Sequence, residues 1–240
     1  MLVVLLCFSS CDPEEETFSL NIEFKHLVDD LEIVYSNDNM IYTNTASDIY
    51  SVRRLLYVLS DVTLYFSDGS SLLLDDFIFI NTDDSETLFQ TIYDLPGLCS
   101  GISFRLGFSS ENNTDNAYVN SSDNFHLSML WPNLNGTNLA FQGGYHYMKL
   151  EGKYYENGQL EPVAFYNTHT GPINAEDFSI LYPAFSFTPS ENITIEMNVN
   201  NWYNDPTYSM VDFGSAIMGN ISAQTILYQN GSNVFSVKSE

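Results

Sequence analysis

The side chains in this sequence best suited to chemistry are four histidines, His26, His126, His146 and His169, and two tryptophans, Trp131 and Trp202. Neutral imidazole is a ligand for zinc, copper, nickel and iron, and a Cu(I) ion can be held by two or three such nitrogens on a rigid sheet. The histidines are widely separated, with no H-x-H or H-x₃-H pair, so any metal site has to be assembled by the fold. His126 and Trp131 lie in a strand-like run at odd spacing, which points them to opposite faces unless a bulge intervenes. His146 stands between Tyr145 and Tyr147 and reads as a strand histidine, in the core or on the surface. Hydrolytic chemistry finds little support, because neither G-x-S-x-G nor H-E-x-x-H occurs. Paired carboxylates are too common in so acidic a chain to argue for a glycosidase. Loops rich in Asp and Asn, Ser36–Asn39 and Asn81–Glu86, offer hard oxygen ligands for calcium without completing an EF-hand. The expectation is a protein that binds, not an enzyme.

The elements that must position these residues read as strands. Phe18, Leu20, Ile22 and Phe24 alternate with polar residues, the period of a half-buried strand. Tyr57–Phe66 is rich in β-branched and aromatic residues and ends at Asp68-Gly69, a hairpin turn signal, with Leu72–Ile80 as its expected partner. Further strand-like runs are Gly101–Phe108, Phe125–Trp131, Tyr145–Glu151, Val163–Tyr166, Phe178–Phe187, Ile193–Val199 and Ile226–Val237. Short helical turns are expected in Asp48–Leu56 and Ser85–Tyr93, with an irregular or helical link over Pro206–Ala223. The pattern predicts an all-β protein, a single antiparallel β-sandwich with few short helices. No composition shift divides it, so residues 17–240 are expected to be one domain.

The first sixteen residues carry a different signal. An apolar run too short to span a bilayer ends at Phe8-Ser9-Ser10-Cys11, which looks like a bacterial lipobox with Cys11 as the lipidated residue. Asp12-Pro13-Glu14-Glu15-Glu16 follows as an acidic tether, similar to the surface-export signal of Bacteroidetes lipoproteins. The n-region lacks its usual Lys or Arg. An exported outer-membrane lipoprotein, periplasmic or on the cell surface, is therefore expected. Seven Lys and Arg against 31 Asp and Glu, a formal net charge of -24, exclude nucleic acid and anionic membrane surfaces as partners. Cys99 remains alone in the body and is expected to be a buried small hydrophobe.

A series of landmarks in order resembles the MbnP family. Leu20–His26 is similar to its opening strand, Leu56–Leu64 to its "YYISNIRL" strand and Leu95–Gly107 to its "VPAGxYxxLxFxLG" segment. Met129-Leu-Trp131 resembles "MxW", Gly143–Gly152 resembles "SGYxxxKLEG", and Phe165–Gly171 is similar to "F-x-x-x-H-x-G". Met197–Trp202, Met218–Asn220 and Asn230–Ser236 continue the likeness to the end of the chain. The resemblance implies an exported copper-binding protein, a carrier or scavenger, with histidine ligands and a tryptophan that a di-haem cytochrome peroxidase-like partner oxidises to kynurenine.

On the matching positions, His169 and His26 are the expected ligands, both at strand ends, and Trp131 is the expected modified aromatic. Trp202 reads as a packing residue. The sequence departs from the family where a second tryptophan follows the first, having Pro132 and an insertion-like Asn133–Phe141 instead. It also has Phe77–Asn81 where many relatives carry a histidine. The alternative expectation is a surface module that binds glycan or a partner protein, without metal, through a row of exposed tyrosines. The two differ in one arrangement: copper requires His169 to approach another histidine or Trp131.

Overall fold

The computed structural model describes residues 17–121, 124–132, 143–156, 161, 164–173 and 176–240. The strands among them are β1 (Phe18–Val28), β2 (Leu31–Glu32), β3 (Tyr42–Thr43), β4 (Ile49–Tyr50), β5 (Arg54–Phe66), β6 (Ser71–Leu73) and β7 (Ile78–Asn81). They continue with β8 (Phe89–Leu95), β9 (Cys99–Leu106), β10 (Met148–Tyr155), β11 (Ala164–Thr170), β12 (Ile180–Ser190), β13 (Asn192–Asn198) and β14 (Phe235–Ser239). Three short helices accompany them: α1 (Phe125–Met129), α2 (Met210–Phe213) and α3 (Ile221–Gly231). The leader, the acidic tether and Cys11 lie outside the described residues, as do Asn133–Phe141.

Two sheets enclose the main core. The smaller runs β14-β13-β1-β2, with β8 also on β1; the larger runs β12-β9-β5-β10-β4-β3, with β6 and β7 on β5 and β11 on β10. The all-β reading holds. One pair departs from the antiparallel expectation, since β1 and β13 run parallel, Ile22 opposite Ile193 and Phe24 opposite Ile195. Alternation places Leu20, Ile22, Phe24 and His26 of β1 inward, against Tyr57, Leu59, Phe104 and Phe235 among others. Cys99 is buried and has no disulfide partner among the described residues.

The central strand is unusual. Every residue of β5 from Leu55 to Ser60 is buried, and alternation returns only after Asp61. A continuous buried run means that this part of the larger sheet is covered on both faces. Leu55, Tyr57 and Leu59 join the main core. Leu56 and Val58 join a second apolar cluster on the outer face, with Phe79, Phe108, Phe125, Met129 and Tyr145.

That outer cluster corrects one strand expectation. Phe125–Trp131 opens as the short helix α1, not a strand. Phe125 and Met129, four residues apart, are both fully buried, while Leu127 between them is 74% exposed. One helical turn places such a pair on one face, which alternation could not. Ile226–Val237 is corrected likewise: its first half belongs to α3, capped by Asn220 accepting from the Ala223 amide, and the strand begins only at Phe235. Leu72–Ile80 is two strands, β6 and β7, parted by the Asp75-Asp76 turn. Asp48–Leu56 supplies strand, not helix, and Ser85–Leu88 forms a single 3₁₀ turn before β8.

Truncating Phe125 to alanine should cost about 3–5 kcal/mol of unfolding free energy by loss of burial and cavity formation. Leu127→Ala on the same helix should stay within about 0.5 kcal/mol. Urea titrations of the two variants check this; comparable losses would contradict the helical face.

Candidate metal centre

The outer cluster brings two of the histidines together. His146 is set in the segment that leads into β10, where its backbone amide donates to the Met129 carbonyl at 2.6 Å and Tyr147 donates to Thr170 of β11 at 2.8 Å. His169 lies on β11, directly opposite Lys149 of β10. The two imidazole rings have centres 5.0 Å apart at 82°. Metal–imidazole bonds run about 2.0–2.1 Å, so one ion can serve two rings whose centres lie within about 6 Å. Trp131 completes the group, with its ring 4.7 Å from that of His146 at 74°. All three side chains are buried.

The hydrogen bonds assign the tautomers. Nδ1 of His146 faces the Met129 carbonyl at 3.1 Å. A carbonyl can only accept, so Nδ1 carries the proton and Nε2 holds a lone pair. Nε2 of His169 faces Glu151 Oε1 at 3.1 Å. Burial raises the Glu151 carboxyl, but hydrogen bonds from His169 and Arg54 outweigh it and hold the group below the usual carboxylate range. An ionised carboxylate also only accepts, so the proton of His169 is on Nε2 and its lone pair on Nδ1. The two lone-pair nitrogens, His146 Nε2 and His169 Nδ1, are buried without a hydrogen-bond partner among the described residues. A buried polar atom left unpaired is costly unless something occupies its lone pair.

Electrostatics favour neutral rings. Burial, followed by the neighbouring His169 and Lys149, holds His146 well below the ordinary 6.5. Burial also lowers His169, against the opposing pull of Glu151. Both shifts disfavour the imidazolium form. Glu151 is itself fixed by Arg54, whose Nε and Nη2 donate at 2.5 and 3.0 Å, and by Arg53 at 3.4 Å. A carboxylate behind a histidine, orienting the ring and its tautomer, is the usual support of a metal-bound imidazole.

Glycines and one helix residue hold the group in place. A Cβ on Gly171 would overlap the Trp131 ring, and one on Gly143 would come within 2.8 Å of Trp131 Cδ1. The glycine two residues after His169 is thus where the indole lies against the strand. Gln224 of α3 is buried and clamps the same stretch, donating to the His169 carbonyl at 2.6 Å and accepting from Gly171 N at 3.4 Å.

The expected residues are therefore placed as follows. His169 and Trp131 share one site, with His146 between them in contact with both. His26 lies inside the sandwich instead, its Nε2 3.1 Å from the Tyr57 hydroxyl and its ring beside Tyr35. Tyr57 belongs to the inward row of β5 and His169 to the outward row of the same sheet, so the sheet separates the two histidines. His126, on α1, braces the Tyr145 hydroxyl at 2.8 Å. His146 was legible only as a strand histidine; the aromatics on either side of it conceal that its own ring points at His169. Among the described residues, no group of three or more His, Cys, Asp or Glu side chains could hold a metal ion. Asn81 and Asp84, in an Asx-rich loop, are engaged in capping backbone amides.

Comparison with known proteins bears on this site. The MbnP family model matches residues 17–219, and the chain belongs to that family. No curated protein matches it in sequence. In structure it resembles MbnP from Methylosinus trichosporium, with a TM-score of 0.53 and 10% identity over 81% of this chain and 79% of that one, a likeness of fold.

Two outcomes follow from this geometry. Gly171→Ala should displace the Trp131 indole and cost about 1–3 kcal/mol as an overpacked contact, seen as altered near-UV dichroism with a lower urea midpoint. The second concerns pH. Burial holds His26 down to about 3, whereas in the unfolded chain it titrates near 6.5. The unfolded state thus takes up the proton first, and stability is full above pH 6.5. Below that it should fall by about 1.4 kcal/mol per pH unit for this group, until pH nears 3. In His26→Gln the slope of unfolding free energy against pH should be shallower by about that amount.

Proposed function

We propose that this member of the MbnP family is an exported copper-binding protein, a carrier or scavenger, and that His146 and His169 hold the ion. The observation that carries the reading is the pair of buried lone-pair nitrogens, each ring neutral and each fixed through its other nitrogen. Two buried imidazoles suit Cu(I), an ion content with few nitrogen ligands, better than zinc, which takes four. Bound copper would supply an electron-rich centre next to Trp131. The residues themselves orient the ligands, exclude water and keep both nitrogens unprotonated. Trp131, in contact with His146, is the aromatic that a di-haem peroxidase-like partner would oxidise. The lipid anchor at Cys11 and the outer-membrane location belong to the same proposal. Among the described residues no helix is long and apolar enough to cross a membrane.

The distribution of tyrosines favours this reading over a glycan- or protein-binding surface. Ten of the sixteen are buried, and those most exposed, Tyr93 on β8 and Tyr228 on α3, stand on separate elements and form no row.

The test is metal analysis after Cu(I) loading and dialysis of the lipid-free domain. About one copper per chain should remain in the unmodified protein and in His26→Gln. It should be lost in His146→Ala and in His169→Ala, with folding verified by circular dichroism. Copper retained equally by all four proteins, or by none, would overturn the assignment.

A further inference from the structure

The sheet around the two histidines carries a charge arrangement that runs against the rest of the molecule. Only seven Lys and Arg residues occur in the whole sequence. Four of them, Arg53, Arg54, Lys149 and Lys153, lie along β10, the strand paired with that of His169, and at or just before the start of β5 on the far side of β10. Three are paired: Arg53 and Arg54 with Glu151, Arg54 also with Asp83 at 3.7 Å, and Lys153 with Asp38 at 3.2 Å. Lys149 is different. Its ammonium donates to the Ser128 carbonyl at 3.0 Å and makes no ion pair among the described residues. It sits directly opposite His169 in the β10–β11 register, where facing residues have Cβ atoms about 4.5–5.5 Å apart.

A cation beside a metal site is a cost to the metal, and the cost scales with the metal's charge. The carboxylate that contacts His169, Glu151, is bound bidentately by Arg54 and offers the ion little net negative field. We propose that Lys149, acting with an Arg54-neutralised Glu151, makes the His146–His169 pair selective for a monovalent metal ion over a divalent one. This rests on the metal reading above and deepens it. The repulsive element adds to the low ligand count in distinguishing the two classes of ion, since imidazole itself accepts both. It also gives the Lys149-Leu-Glu-Gly152 segment a physical content: the lysine sets the charge, the glutamate orients His169, and a Cβ on Gly152 would collide with the Ser51 carbonyl and the Tyr166 ring.

The test uses Ag(I) as a redox-silent monovalent probe and Zn(II) as a divalent one, with dissociation constants from chelator competition. The proteins are the unmodified domain, Lys149→Met and Lys149→Arg. Removing one unit charge relieves a divalent ion twice as much as a monovalent ion, so the fold-changes should be related as a square. In Lys149→Met, Zn(II) should tighten about tenfold while Ag(I) tightens about threefold; Lys149→Arg should leave both within about twofold. A purely structural role for the lysine would move both ions by the same factor, and that result, or no shift at all, overturns the proposal. Failure of the unmodified domain to hold Ag(I) overturns the metal reading itself and this inference with it.

Discussion

The structure depends on one strand being buried on both sides. Residues Leu55–Ser60 of β5 have no solvent face, so the larger sheet needs a cover on its outer side as well as a partner sheet on its inner side. The cover is a small apolar layer built from α1, Tyr145 and the aromatic side chains around Phe108. Burying that layer draws Met129 and His146 down onto the sheet, where the Met129 carbonyl meets both the amide and the ring of His146. The approach of His146 to His169 is thus a consequence of core packing, at the edge where the second core ends.

Polar satisfaction then decides what the pair of rings can do. Each histidine uses one nitrogen to satisfy a protein acceptor, Met129 O or Glu151, and each is left with a buried lone pair that no described residue meets. Burial disfavours the imidazolium form of both. Neutral rings locked in complementary tautomers, with an indole against one of them, make a pair of nitrogen donors of the kind that several transition metals accept. His26 shares the burial without the geometry. Its Nε2 already meets Tyr57, and it stands in the main core behind the sheet.

Much of the fold was legible because the physics involved is local. Alternation in Phe18–Lys25 placed β1, the Asp68-Gly69 turn placed the end of β5, and Gly101–Phe108 placed β9 within two residues. Failures came where a short window supports two periods. In Phe125–Trp131 the β-like composition hid a single helical turn whose signal was the i, i+4 pair Phe125 and Met129. In Ile226–Val237 the apolar run spans the end of a helix and the start of a strand, and Gly231, where a Cβ would meet Trp202 and Ile180, marks the joint.

From the sequence alone came the strand-rich sandwich, the family and the roles open to single residues: imidazoles able to bind metal, an indole at position 131, and a glycine two residues after His169. Their types are written in the chain and need no partner to be read. Which histidines meet was decided only by the tertiary structure. His146 and His169 are joined by the β10–β11 register and by the descent of α1 onto the outer face, both long-range pairings that carry no local spacing rule. The same register sets Lys149 against His169 and Glu151 behind it, so the charge at the site is likewise a property of the sheet and not of any one segment.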